Sequence, residues 1–434
     1  MLYRLTSLLG IFVLIGLAWL LSENRRRFPA RLVAWGVALQ ILFCVLVLGI
    51  PALGFSGPLF FLFEAANNAI NATIAFTLEG SRFVFGNLLD KDSFGFIFAV
   101  QVLPTIIFIS SLMSVLYHLG IMQKITHAFA LVMQRTMKTS GAETLAAAAN
   151  IFVGQTEAPL VIKPFLAAMT RSELLCVMVG GMANTAGGVL AAYVILLRDR
   201  IPEIGGHLLT ASILSAPAAL LFSKILVPET ARPQTYGTIP QESKHSPHAN
   251  LIDAAAQGAG EGLTLALNVA AMLLAFIALI AAANSVFALI GDAIGFASWG
   301  QALIPEDLRT GGPVKLSFQL ILGWLFAPVA WIIGVPYDEI ALAGGLLGEK
   351  TILNEFVAYS HLSDLSARVS DRTFILMSYA LSGFANFASI AIQIGGISPL
   401  APTRRADLAR LGLRALIGGT LASMLTGAVV GLFI

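Results

Sequence analysis

The stretch TLAAAANIFVGQTEAPLVIKPFLAAM, from Thr144 to Met169, holds the decision about the fold. It is apolar at both ends and polar in the middle, where GQTEAP, Gly154 to Pro159, interrupts it. The two flanking pieces, about ten and twelve residues, span roughly 15–18 Å each as helices, about half of a ~30 Å hydrocarbon core. Neither piece can cross a membrane alone. The pattern reads as a re-entrant hairpin that goes in to mid-membrane, breaks, and returns. Broken backbone at that depth survives only against protein or a water-filled cavity.

A second stretch behaves the same way. EIALAGGLLGEKTILNEFVAY, from Glu339 to Tyr359, is split at GEKT and carries an apolar-flanked Glu355. Each hairpin is followed by an apolar run bearing a related motif: GMANTAG at Gly181–Gly187 and GFANFAS at Gly383–Ser389. Gly181, Ala183, Asn184 and Ala186 match Gly383, Ala385, Asn386 and Ala388. The same order of hairpin, acid, helix and asparagine, met twice, predicts an internal repeat.

The remainder of the chain sets these elements in a membrane. Its 434 residues are 57% hydrophobic and 12% charged, with mean hydropathy +0.84. Apolar runs near 20 residues recur along its whole length, which makes it an all-α polytopic membrane protein and argues against a β-barrel. Eight full crossings are expected, at about 7–22, 32–53, 94–117, 174–197, 207–227, 263–290, 372–395 and 411–433. Segments 60–90 and 120–140 are mixed in polarity and read as surface-lying. The first run is followed by Glu23-Asn24-Arg25-Arg26-Arg27 and no small-residue cleavage site, so it reads as a retained helix. Arg25, Arg26, Arg27 and Arg31 lie between the first two crossings, and Arg404, Arg405, Arg410 and Arg414 between the last two. Lys224, Arg232 and Lys244 follow the fifth. If these loops are cytoplasmic, both termini are outside, and the Pro- and Ser-rich segment 228–250 is a cytoplasmic linker. The helices of 174–197 and 372–395 then run in opposite directions. Inverted repeats with discontinuous helices point to a secondary transporter with a midplane site between them.

Several chemistries find no residues. Cys44 and Cys176 lie apart in apolar runs, and six scattered histidines form no metal spacing. No HExxH, GxSxG or Walker motif occurs, so a membrane hydrolase or an ATP-driven pump is disfavoured. No basic run interleaved with aromatics suggests nucleic acid. What remains is two carboxylates at membrane depth, each costing roughly 2.5–3.5 kcal/mol to insert. Glu157 and Glu355 either face each other and hold a polar ligand, or cap their own hairpins, or sit at an interface and snorkel. Asn150 and Asn184 add oxygens near the first break, where freed carbonyls suit a hard cation, although Asn184 could equally bond between helices. Asn386, Ser389 and Gln393 fall at helical spacings of three and four and read as one polar face, a cavity wall or a packing stripe. Lys163 and Lys350 flank the breaks, as substrate contacts, as charges near the surface or as partners of a nearby acid.

Five segments resemble the concentrative nucleoside transporter family, in its shorter bacterial form: the hairpin run Asn150–Leu160, GGMANTAGGVLAAYV from Gly180, LALNVAAMLLAFIALI from Leu265, Gly348–Phe356, and SGFANFASIAIQIGG from Ser382. The likeness covers roughly residues 90–430. It implies homotrimers of elevator type, with a scaffold and a mobile transport domain, that import nucleosides such as uridine across the bacterial inner membrane with sodium. It places Gln155, Thr156 and Glu157 at the nucleobase. Glu355, Asn386 and Ser389 would hold the ribose, and Val189 and Phe384 would pack against the nucleoside. Sodium, as the co-transported ion and not a cofactor, would lie between hairpin and helix at Asn150, the Val153 carbonyl, Asn184 and Thr185. The family commonly has a small hydroxyl residue and an aliphatic one where this chain has Asn184-Thr185. An amide oxygen can still coordinate sodium, and proton coupling is the alternative.

The expected organisation is N-terminal scaffold helices over 1–117 and a first repeat over 118–227, with its hairpin at about 143–170. A linker and interfacial helix follow over 228–262, then a scaffold and trimerisation helix with its loop over 263–317. A second repeat occupies 318–434, with its hairpin at about 337–360. A nucleoside-binding membrane protein that does not accumulate its ligand is the reading from another class. An enzyme is not expected.

Overall fold

A computed structural model describes residues 2–50, 54–55, 57–240, 248–300 and 315–434. The end of the second expected crossing at 51–53, linker residues 241–247 with Lys244, and loop residues 301–314 lie outside the described residues. Among the described residues the structure is helical, with two isolated β-bridges, Ile50 to Phe55 and Ser140 to Tyr236. The unbroken long helices are α1 (Leu2–Leu20), α2 (Ala30–Val47), α3 (Phe60–Phe85), α4 (Leu103–His118), α5 (Ile121–Met137), α6 (Ile204–Leu226), α7 (Leu251–Ala293), α8 (Phe318–Ile332) and α9 (Arg405–Val430).

Between these lie two copies of one arrangement. The first hairpin has arms Gly141–Ala149 and Ala158–Val161 with Lys163–Leu166, and Asn150–Glu157 form its break. Ser140 and Glu143 form a capping box at its start. A broken helix follows, Arg171–Ala183 and Gly187–Leu197, and then α6. The second hairpin has arms Ile340–Ile352 and Glu355–Asp364. Its broken helix is Asp371–Ala380 and Phe387–Ile397, and α9 follows.

Two expectations need correction here. The runs at 174–197 and 372–395 are not continuous crossings: each unwinds at its GxANxAx motif, over 184–186 and 381–386. Seven helical spans among the described residues are by themselves long and apolar enough to cross a membrane, the first broken helix among them, while the second is divided into pieces too short for that measure. The cause is local. Asn386 takes extended geometry and its side chain accepts from the Ser389 N–H, so it starts a new helix instead of continuing an old one. The second hairpin also does not break at GEKT. Residues 348–351 are helical, and the turn falls at Leu353-Asn354, where Asn354 caps the next arm through the Val357 N–H.

Packing separates a centre from a periphery. In the most apolar stretch of α6, 89% of residues are buried, against 22% for α7, whose Leu267, Leu274 and Leu289 are exposed. Helices α6 and α9 pack against each other and against both broken helices. Helix α4 runs along α7 so closely that a Cβ on Gly258 would lie 2.7 Å from the Ser110 carbonyl oxygen. Of the helices in 1–117, α1 rests on α9 and α2 on α6, while α4 packs along α7. Arg4 donates to the Ile434 carbonyl at 3.2 Å, so both ends of the chain lie at one end of the bundle.

Candidate functional site

The two motifs that rhyme in sequence touch in space. The Thr185 hydroxyl lies 3.0 Å from the Ser382 hydroxyl and accepts the Gly383 N–H at 2.9 Å. Gly383 has φ +96°, and a Cβ there would lie 2.4 Å from the Ala183 carbonyl oxygen. Glycine is therefore required twice over, by a left-handed backbone and by the close approach of the other break. The unwound segments of both repeats cross at this point.

Beside the crossing, a chain of hydrogen bonds runs from one hairpin to the other. Gln155, in the first break, donates to the Ser389 hydroxyl at 3.2 Å. The Ser389 N–H donates to Asn386 Oδ1 at 2.9 Å, and Asn386 Nδ2 donates to Glu355 Oε2 at 3.3 Å. Tyr193 donates to the other oxygen, Glu355 Oε1, at 2.9 Å. Glu355 is 5% exposed, at the first turn of its helix arm, where the helix dipole favours an anion. Tyr193 is held by Tyr359 and Phe356, with ring centroids 4.5 and 5.2 Å away. A carboxylate with acceptor capacity left over, an amide and a hydroxyl in series suit a polyhydroxylated neutral ligand.

The remaining expected site residues take up different positions. Val189 is buried four residues before Tyr193, on the same helical face. Phe384 is half-buried in the turn between the halves of the second broken helix. Thr156 packs at Gly396, where a Cβ would come within 2.5 Å of its methyl. Glu157 is exposed and accepts from the Gly154 N–H at 2.9 Å, so it caps its own hairpin. Gln393 turns from the polar face to donate to the Met178 carbonyl at 2.9 Å.

The four expected cation groups divide into two pairs. Asn150 Oδ1 is buried and has no hydrogen-bond partner among the described residues, while its Nδ2 donates to the Ala146 carbonyl at 3.0 Å. No donor reaches the Val153 carbonyl among the described residues. Both oxygens are available to a cation. Asn184 Oδ1 instead accepts from Ser215, and Thr185 is engaged at the crossing. Tyr193, Ser215 and Ser382 went unread in the sequence. Tyr193 alone left a trace, its spacing from Val189. Lys163 is exposed, whereas Lys350 is fully buried.

Comparison with known proteins adds a consistent picture. A family model described as Na+ dependent nucleoside transporter C-terminus matches residues 207–431. The corresponding N-terminus model matches residues 9–88, and one described as nucleoside recognition matches 99–200. An uncharacterized transporter of Bacillus subtilis is 44% identical over 430 residues, with 99% of each chain covered. The rat sodium/nucleoside cotransporter 1 is 40% identical over 444 residues, covering 99% of this chain and 64% of that protein. Among solved structures, CNTnw in an inward-facing substrate-bound state gives a TM-score of 0.86 at 42% identity, covering 99% of this chain and 98% of that one. A variant of it in an outward-facing state gives 0.88 at 41%, covering 100% and 98%.

Proposed function

The chain belongs to the concentrative, Na+-dependent nucleoside transporter family, and from that premise we propose that it imports nucleosides such as uridine into bacteria with inward-moving sodium. The observation that carries the reading is the hydrogen-bonded chain Gln155–Ser389–Asn386–Glu355, which joins the two hairpins beside two uncommitted acceptor oxygens.

In this reading the ribose hydroxyls donate to Glu355 and bridge to Asn386 and Ser389. The base lies toward Gln155, Thr156 and Glu157, and Val189 and Phe384 form the apolar wall. A site built to bond hydroxyls rejects analogues that lack them, so deoxynucleosides bind more weakly. Sodium is held by Asn150 Oδ1 and the Val153 carbonyl. Asn184 and Thr185 join it if they exchange their present partners. Because those two oxygens are committed to Ser215 and Ser382, proton coupling is the second reading.

The packing supports an elevator whose stationary part is α4 with α7, while α1, α2 and both repeats move together. This division differs from a scaffold made of all of residues 1–117. The exposed apolar length of α7 is then the lipid-facing and trimer-forming surface of an inner-membrane protein with both termini outside.

The test is uridine uptake into proteoliposomes with an inward sodium gradient, and with choline in its place. Sodium-driven accumulation is expected. Uptake that ignores sodium but collapses with a protonophore would move the coupling to protons. Saturable binding with no uphill uptake would leave a nucleoside-binding protein that does not transport.

A further inference from the structure

Lys350 is 2% exposed, yet among the described residues no carboxylate forms an ion pair with it. Its ammonium donates to the Ala380 carbonyl at 2.9 Å and the Ser382 carbonyl at 3.0 Å. These carbonyls end the first half of the second broken helix, where the backbone dipoles leave partial negative charge. A buried monovalent charge whose hydrogen bonds all go to carbonyl oxygens, with the Glu355 carboxylate near enough to act on it through space, resembles the setting in which broken helices bind alkali cations.

The internal repeat says what stands at the same place in the other half. Aligning GMANTAG with GFANFAS pairs Gly180 with Ser382. Asn150 ends the first arm of its hairpin as Lys350 nears the end of its own. Asn150 Nδ2 approaches Gly180 so closely that a Cβ there would lie 3.1 Å away, and the Gly180 carbonyl receives Asn184 Nδ2 at 3.1 Å. Asn150 Oδ1 is one of the buried oxygens with no hydrogen-bond partner among the described residues. One repeat thus sets an unpaired acceptor against the end of its broken helix, and the other sets a cation there.

We propose that Lys350 is a tethered cation: its ammonium fills, in the second repeat, the place that a free sodium ion fills in the first. The inference rests on the sodium reading of the Asn150 site. It makes Lys350 a positioning residue that holds the second break in shape and restricts this pair of sites to one exchangeable ion.

The experiment compares purified wild type with Lys350→Ala, following uridine binding as sodium replaces choline at constant ionic strength. Wild type is expected to show a Hill slope of about one; the variant is expected to need a second ion, with a slope of about two and a midpoint at least about tenfold higher. Methylammonium, which restores the missing charge, is expected to bring back the wild-type slope. An unchanged slope and midpoint would overturn the proposal, and so would binding lost at every concentration of both cations. If Lys350→Ala does not fold, Lys350→Met keeps the stem, and its thermal unfolding is followed against sodium. Sodium is expected to raise its Tm more steeply than that of wild type, and equal slopes would overturn the idea. Wild-type binding that ignores sodium would sink the sodium reading instead, and the methylammonium arm would still decide for Lys350.

Discussion

The two hairpins share an architecture and differ in chemistry. The first breaks over eight residues, Asn150–Glu157, and its carboxylate is exposed and folded back on the Gly154 N–H. The second breaks over two, Leu353-Asn354, and its carboxylate is buried against Tyr193 and Asn386. A long break frees backbone and side-chain oxygens, as at Val153 and Asn150. A short one spends its groups on fixing a single side chain. The two frames are alike, and in the proposed reading one serves the cation and the other the sugar.

That contrast can be broken experimentally. Glu355→Gln should have the largest effect. The amide keeps the shape but gives up the charge and one acceptor oxygen, leaving Tyr193 or Asn386 facing a donor. Loss of a charge-assisted, buried hydrogen-bond centre costs about 2–3 kcal/mol, so uridine uptake should fall about 30- to 150-fold with the yield of folded protein preserved. Wild-type uptake would remove Glu355 from the site. Gly383→Ala comes next, because its Cβ meets both a positive φ and the Ala183 carbonyl. A strain of at least about 2 kcal/mol should lower the Tm of the detergent-solubilised protein by several degrees. An unchanged Tm would mean the breaks do not cross this tightly. Glu157→Gln should have the smallest effect, since an exposed amide oxygen can still accept from Gly154. About a two- to fivefold loss of uptake is expected. A loss as deep as that of Glu355→Gln would make the two acids equivalent and end the comparison.

The hairpins and their order were legible because a polar group in an apolar run is rare and costly. The breaks inside 174–197 and 372–395 were not legible. Gly, Ala and Asn fit an apolar helix pattern without a proline or charge to mark a stop, and only tertiary contact at Gly383 and Thr185 reveals why the backbone unwinds. GEKT is the more polar string, but the turn at Leu353-Asn354 begins two residues beyond its end. Yet Asn354, an N-cap residue, was the physical signal. Lys350 resisted reading for a related reason: sequence records a charge but not the carbonyls that surround it. Tyr193 was hidden because one hydroxyl in an apolar helix looks like core until its partner is known.

The crossing of Thr185, Ser382 and Gly383 also has an evolutionary meaning. Two segments of matching sequence serve as each other's binding surface, so neither can drift alone. Loss of the hydroxyl at 185 leaves the Ser382 hydroxyl and the Gly383 N–H without their partner, and any side chain at 383 meets the carbonyl of 183. Among descendants of this sequence, positions 185 and 382 should therefore change together, while 383 stays glycine.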